Sequence, residues 1–531
     1  MKVLMMFIYN DEMSGTMEEI GLSLLAAVLR QDGHEVRLMM NHERELDMGK
    51  IQETPDLIGF TVYEVSKDSV YRSIAKAREI WPSAVICVGG VLATSDGKQM
   101  LKENDAICYA ISGEGEETLK ELVQRLERGE SAAGIQGVIY RDGDIVVENE
   151  PRPLIQDLDQ IPFAARDILV EKKMKIATIS GSRGCLARCN YCATQLFWSK
   201  WRGRSVGNVV DELEMIVNRY QVRAFNFIDS SFEDPYNSLK RLTALAEEIV
   251  RRKLSIAYFA DFRAEFQRKT SPEVMDLLKE SGLTGACIGI ESANDQDLVF
   301  YNKIARADDN RKIMDLFNGY GIWISPGFIN FNPKTTIEGL HNNLEFLHQY
   351  GYDIKFFSKL AIFSGTVIYN QLSAEGLLTP GDKSNNQYRF VDPSVGRFSE
   401  FMQYFAGEVN RINGRIMSNL DFYLDYFHLI LGYYRRLFEI RQDAAGLDFF
   451  AQYIEEYGAV KQLFNQSFYQ WTSMLLKLAQ DEVRLNGMRD WTLSRITPQL
   501  FADTLADFER LRLKLYQYLM RKGYESSIIT F

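Results

Sequence analysis

Three of the chain's six cysteines fall within eight residues, in the run Gly181-Ser-Arg-Gly-Cys185-Leu-Ala-Arg-Cys189-Asn-Tyr191-Cys192. Thiolates are soft ligands that suit iron–sulfur clusters and zinc rather than hard cations. On a four-iron cluster, three thiolates leave one iron open, which a small chelating molecule can take. Structural zinc is the competing reading, but it usually takes four protein ligands, often in C-x2–4-C pairs. No second cysteine pair follows here, and His34, His42, His341, His348 and His428 all lie far from the triplet in sequence. Cys87, Cys108 and Cys287 sit in apolar strand-like runs and read as buried core thiols.

The triplet directly follows the apolar run Lys175–Ile179, and other polar residues also end such runs. Asp229 and Ser230 follow Ala224–Ile228, Arg263 follows Ile256–Ala260, and Glu291 follows Ala286–Ile290. Nearer the N-terminus, Thr61 and Tyr63, then Gly89-Gly90, then Gly113-Glu114-Gly115-Glu116 end successive runs in the same way. Parallel α/β folds bind ligands at the C-terminal ends of their strands, so these are candidate site residues. Glycine at such an end lets backbone approach a flat ligand.

The elements needed to carry these residues are legible. A chain of 531 residues suggests about three domains. Candidate strands Val3–Tyr9, Glu35–Met40, Leu57–Val62, Ala84–Val88 and Ile107–Ser112 alternate with amphipathic helices such as Glu18–Gln31. That rhythm predicts a doubly wound, flavodoxin-like (Rossmann-like) α/β domain over 1–147, ending in a hairpin, Val138–Tyr140 and Ile145–Val147, about Asp142-Gly143. Residues 148–172, rich in Pro and Asp, are expected to be a linker. Strands Lys175–Ile179, Ala224–Ile228, Ile256–Ala260, Ala286–Ile290, Trp323–Ile329 and Ile354–Leu360 then predict a partial (β/α)6 barrel over 173–365. Residues 366–531 read as an α-helical domain with aromatic stripes such as Phe464, Phe468 and Trp471, expected to cap the barrel and select the substrate.

Bulk composition narrows the function classes. Hydrophobic content of 46% and charged content of 25% are ordinary for a soluble globular protein. No apolar run approaches the ~18 residues of a membrane span, and the N-terminus reads as a strand rather than a signal peptide. A cytoplasmic location is expected. The net charge of −11, without a basic block, argues against a nucleic-acid partner and for a small-molecule or peptide substrate.

The cysteine spacing, the glycine-rich turn before it and Tyr191 before the last cysteine resemble the radical S-adenosylmethionine (SAM) superfamily. Phe225-Asn-Phe-Ile-Asp229-Ser230-Ser-Phe232 and Ile288-Gly289-Ile290-Glu291-Ser292, with Asn302-Lys303 beyond, are similar to that superfamily's second- and fourth-strand motifs. The resemblance implies a [4Fe–4S] cluster on Cys185, Cys189 and Cys192 that cleaves SAM. It also implies SAM contacts from Tyr191, Asp229, Ser230, Arg263 and Glu291, and a flavodoxin- or ferredoxin-type electron donor. Ile20-Gly21-Leu22 through Val36, Val88-Gly89-Gly90, Gly113-Glu114-Gly115-Glu116 and Asp157-Leu-Asp159-Gln-Ile-Pro162 further resemble the cobalamin-dependent branch, class B methyltransferase-like. There cobalamin would meet Thr61, Tyr63, Gly89, Gly90, Gly113, Glu114 and Gly115. The Asp-x-His-x-x-Gly motif that gives cobalamin a lower histidine elsewhere is absent, which implies a corrinoid without a histidine ligand. Asn330-Phe-Asn-Pro333-Lys-Thr-Thr and Phe363-Ser-Gly365-Thr366 depart from the family's fifth- and sixth-strand patterns.

The activity this implies is methyl transfer from SAM, via methylcobalamin, to an unactivated carbon of a peptide or natural-product substrate. The alternative is oxidation, cyclisation or ring rearrangement with the same cofactors.

Overall fold

The structure, a computed structural model, describes residues 1–10, 17–235, 238–379, 388–413, 416–495 and 497–524. The chain forms two compact units. The first comprises Met1–Gly184 and Thr194–Asp229, the second Cys185–Ala193 and Ser230–Phe531.

The first unit opens with β1 (Lys2–Tyr9), α1 (Ile20–Gln31), β2 (Glu35–His42), β3 (Leu57–Thr61), α2 (Lys67–Ile80), β4 (Val85–Gly89), α3 (Val91–Glu103), β5 (Tyr109–Ile111) and α4 (Gly115–Glu127). The antiparallel hairpin β6 (Val138–Asp142) and β7 (Ile145–Glu148) completes one sheet in the order β2-β1-β3-β4-β5-β6-β7, whose first five strands are parallel. The apolar run of β1 shows why the sheet is covered on both sides. Leu4, Met6 and Ile8 join one core with Val70, Ile74 and Leu101 of α2 and α3. Val3, Met5 and Phe7 join another with Leu22, Leu29 and Leu122 of α1 and α4. A strand alternates faces, so burying both requires a continuous apolar run, each large side chain contributing about 1.5–3 kcal/mol. The strand order reverses between β1 and β3, the switch point of such sheets.

Residues 148–172 are not the loose connection their composition suggests. Arg152 donates to Thr118 Oγ1 at 2.9 Å, and Ala165 N donates to the Ser23 carbonyl at 3.0 Å. Arg166 lies buried between Glu18 and Glu212 at 2.7 and 2.8 Å, and the short helix α5 (Asp167–Glu171) is tied to Arg30 through Asp167. The unit continues with β8 (Ile176–Ile179), the two-residue strands β9 (Ser182–Arg183) and β10 (Arg202–Gly203), α6 (Thr194–Phe197), α7 (Val206–Tyr220) and β11 (Ala224–Phe227), with β8 and β11 parallel.

The second unit alternates α8 (Lys240–Arg251), β12 (Ala257–Arg263), α9 (Pro272–Ser281), β13 (Leu283–Glu291), α10 (Asp295–Phe300), α11 (Ala307–Gly319), β14 (Trp323–Phe328) and α12 (Ile337–Tyr350). β12, β13 and β14 pair in parallel. The sixth expected strand, Ile354–Leu360, forms differently. Asp353–Phe357 is a 3-10 turn, and a single parallel bridge joins Lys359 to Phe331. Consecutive residues of a strand point to opposite faces. Phe356 and Phe357 instead both pack toward later helices, against Phe398 at 6.3 Å and Phe468 at 5.5 Å, which an extended chain would not allow.

Helices follow: α13 (Val367–Ala374), α14 (Pro393–Asn413), α15 (Ile416–Asp421), α16 (Phe427–Ile440), α17 (Ala444–Leu478), α18 (Glu482–Arg495) and α19 (Thr497–Arg521). Within the second unit, α16 packs against the starts of β13 and β14. His428 stacks on Trp323, the first residue of β14, with centroids 4.4 Å apart. A Cβ on Gly432 would come within 3.0 Å of Thr284 at the start of β13. Arg436 donates to the carbonyl of Glu280, just before β13. On the strands' C-terminal side, Ile368, Leu372 and Tyr388 share a core with Tyr301, Ile329 and Leu360. Among the described residues, no helix is long and apolar enough to cross a membrane.

Candidate functional site

In the second unit, the cysteine loop is irregular, and hydrogen bonds to residues distant in sequence hold it. Asn190 donates from its own N to the Tyr301 carbonyl at 3.1 Å and from Nδ2 to the Phe300 carbonyl at 2.6 Å. Asn302 reaches back from the turn after α10 and donates to the Arg188 carbonyl at 2.6 Å. Asp234 accepts from Leu186 N at 3.0 Å, and Ile368 N donates to the Asn190 carbonyl at 3.1 Å. Each such hydrogen bond contributes about 0.5–1.5 kcal/mol net, and together these ties hold the loop's conformation. Asn190 and Asp234 were not among the candidate site residues, and Asn302 entered only as part of a motif without a role, because their partners lie 48 to 114 positions away.

Cys185, Cys189 and Cys192 are half-buried and form no disulfide, and the Cys185 sulfur accepts from Ala187 N. Burial pushes the Cys185 thiol up to about 12 and the Cys189 thiol up to about 11. Such thiols become thiolates when a cation binds them, as metal coordination provides. Among the described residues, no three His, Cys, Asp or Glu side chains converge closely enough for one metal ion. A cluster presents a separate iron to each thiolate, so its ligands need not converge. The donor set therefore fits a polynuclear cluster.

The neighbouring strand ends carry paired charges. Arg263, at the end of β12, donates to Glu233 at 3.0 Å and Asp234 at 2.6 Å, all three side chains buried. Asp234 thus links Arg263 to the cysteine loop. Glu291 ends β13 with φ +65°, a left-handed conformation that costs a non-glycine residue of order 1–3 kcal/mol. It pairs with Lys303 at 3.5 Å, and Lys303 also donates to the Gly289 carbonyl at 2.8 Å. Burial opposes the Lys303 charge, yet Glu291 and nearby groups hold its pKa above the ordinary lysine value. A Cβ on Gly289 would come within 2.8 Å of Glu291 Oε1, so glycine leaves space for this pair. Tyr191 packs edge-on against Tyr301 at 5.4 Å and bonds Glu291; burial, then Glu291, push its phenol far up. Ser230 is half-buried.

In the first unit, Asp229 is fully buried and accepts from Gly181 N at 2.9 Å and from the Ser182 hydroxyl. It fixes the turn between β8 and β9. The C-terminal edge of the seven-stranded sheet holds the other expected residues. Thr61 ends β3, and Tyr63 donates its hydroxyl to Glu19 at 2.9 Å. Gly90, at φ +96°, sits where a Cβ would come within 2.8 Å of Thr61 Oγ1. At Gly89 and Gly113, by contrast, a Cβ would meet no atom within 4 Å. Backbone with open space above it is what a flat ring system needs.

Glu114 behaves differently from its glycine neighbours. It is buried, and its carboxylate accepts from Arg183 at 2.9 Å, from both Nη atoms of Arg202 at 2.9 and 3.0 Å, and from Ile155 N at 2.7 Å. Burial alone would raise its pKa, but Arg202 and Arg183 hold it below the ordinary carboxylate range. Glu116 takes the other arm of Arg183.

Comparison with known proteins agrees with both halves of this description. The family described as the radical SAM superfamily matches residues 179–347, and that described as the B12-binding domain matches residues 8–123. An uncharacterized methyltransferase of Pyrococcus horikoshii is 28% identical over 386 residues, 70% of this chain and 82% of that protein. The anaerobic magnesium-protoporphyrin IX monomethyl ester cyclase of Rubrivivax gelatinosus is 25% identical over 428 residues, 77% of this chain and 74% of that protein. The solved structure of the cobalamin-dependent SAM radical enzyme OxsB, with aqua-cobalamin and SAM bound, shares the fold. Its TM-score is 0.66 at 18% identity, over 99% of this chain and 82% of that one. The three-cysteine loop lies within the stretch matched to the radical SAM superfamily, and a B12-binding domain precedes it in the same chain. A radical SAM domain implies a [4Fe–4S] cluster and SAM, and the B12-binding domain supports cobalamin.

Proposed function

We propose that the protein is a C-methyltransferase that moves a methyl group from SAM, by way of a bound corrinoid, to an unactivated carbon of a peptide or small natural-product substrate. The observation that carries this reading is the joining, in one chain, of the three-cysteine loop to a strand edge whose Gly89 and Gly113 leave backbone open. When bound, the cluster supplies reductive cleavage of SAM and the corrinoid carries the methyl group. The chain's own residues bind and orient. Cys185, Cys189 and Cys192 hold the cluster. Tyr191, Asp229, Ser230, Arg263 and Glu291 are each assigned a contact with SAM, with Asp229 and Arg263 preset by their existing bonds. Thr61, Tyr63, Gly89, Gly90, Gly113, Glu114 and Gly115 form the corrinoid edge.

The corrinoid is proposed to lack a histidine ligand. His34 lies before β2, bonded to the chain's N-terminus, so it is at the wrong end of the sheet. His42 ends the edge strand β2, packed on Tyr9 and accepting from Arg44 N. Residues 1–147 are assigned to the corrinoid, 148–172 to the connection, 173–365 to the radical site and 366–531 to the helical region. The assigned location is cytoplasmic, with a flavodoxin- or ferredoxin-type donor reducing the cluster.

The test is anaerobic turnover with SAM carrying a deuterated methyl group. A product heavier by that methyl group, with both S-adenosylhomocysteine and 5′-deoxyadenosine formed, is expected. A product of unchanged carbon count overturns methylation. It would favour the second reading, oxidation, cyclisation or rearrangement, which the similarity to a protein named as a cyclase supports.

A further inference from the structure

We propose that Glu114 is a positioning residue for the cysteine loop, acting through the two arginines that close the loop's neck. This rests on the reading of Cys185, Cys189 and Cys192 as cluster ligands. The loop leaves β9 and returns to β10, and the two strands pair antiparallel with Arg183 directly opposite Arg202. Two guanidinium groups, each about 93% buried, therefore sit side by side at one of the two rungs of this ladder. Like charges opposite one another destabilise a strand pair, and buried ones do so strongly.

The carboxylate of Glu114 resolves the conflict. It bonds Arg183 at 2.9 Å and Arg202 at 2.9 and 3.0 Å, while Glu116 takes the second arm of Arg183. Two arginines and two glutamates make the cluster neutral, and Ile155 N fixes the remaining orientation of Glu114 at 2.7 Å. The next residue shows how tight the neck is. Gly184 has φ +86°, and a Cβ there would lie 2.4 Å from the Lys200 carbonyl oxygen. The residue pair that sets the neck is thus held by the turn between β5 and α4, in the domain matched to B12 binding. Without Glu114, repulsion between Arg183 and Arg202 would spread the ladder and loosen the loop that begins two residues later.

The test compares wild type, E114D, E114Q and E114Q/R202Q, each reconstituted anaerobically with iron and sulfide and checked for folding by circular dichroism. Two quantities are read: the rate at which an iron chelator strips the cluster, and the change SAM causes in the EPR spectrum of the reduced cluster. E114Q is expected to lose iron about tenfold faster and to show a diminished SAM-induced change. E114D, one methylene short of bonding both forks, should fall between. E114Q/R202Q should recover most of the slow release, because removing one guanidinium restores neutrality. Wild-type values for both readouts in E114Q overturn the proposal, as does a double variant no better than E114Q. Should E114Q fail to fold, E114D carries the test, and wild-type release there overturns it. A wild-type chain that takes up no four-iron cluster overturns the cluster reading itself, a separate and visible outcome.

Discussion

The cysteine loop and the C-terminal edge of the N-terminal sheet are built on opposite plans. Residues 185–193 of the loop form no helix or strand, so side chains supply their order: Asn190, Asn302 and Asp234 each hold a backbone group. The sheet edge is ordered by its strands, and its distinctive residues are those without side chains, Gly89 and Gly113. One seat is made by what is added, the other by what is left out. The first should fail by losing ligands or fastenings, the second by being filled.

Substitutions can test that contrast. The largest effect is expected for C189A: one of three ligands is gone, so iron should fall from about four per chain to a small remainder and SAM cleavage should stop. Iron and sulfide analysis reads this directly, and a fully loaded variant would break the contrast at its root. G89V should do the reverse, keeping the cluster and losing the corrinoid. Gly89 has an ordinary strand conformation and free space around it, so valine folds there without strain but occupies the open edge. A steric cost of about 1–3 kcal/mol corresponds to roughly 5- to 150-fold weaker cobalamin binding, measurable by equilibrium dialysis. Unchanged affinity would show that the ring lies elsewhere.

A smaller effect is expected for N190A/N302A, which removes two fastenings of about 1 kcal/mol each while leaving every thiol in place. Iron uptake should remain near normal and chelator stripping should accelerate several-fold. If stripping is unchanged, the loop's shape does not depend on these ties. The smallest effect is predicted for H42A. Cobalamin content and the EPR spectrum of the bound cob(II)alamin, free of nitrogen splitting from a histidine, should match wild type.

The parts of this architecture legible in the sequence were those with local signatures. The unbroken apolar run of β1 announces a strand buried on both faces, and the spacing of three cysteines announces a soft-ligand site whatever surrounds it. Long-range pairings were not legible. Arg263 reads as an available guanidinium until Glu233 and Asp234 are seen to close on it, and Glu114 reads as part of a glycine motif until Arg183 and Arg202 appear. The expected sixth strand fails for a related reason. Its composition suits an extended chain, but two adjacent phenylalanines both find partners among later helices, and tertiary packing outweighs propensity.

The packing of α16 against the starts of β13 and β14 has one more consequence. Trp323, Thr284 and the backbone before them are sealed under His428, Gly432 and Arg436. These helices serve as a plinth, and what they support is free to vary independently of them. Exchanging α16–α19 with those of a relative should shift melting temperature and leave substrate choice intact. Exchanging the stretch from α13 to the start of α14, which borders Tyr301 and Leu360, should retune the chemistry the enzyme accepts.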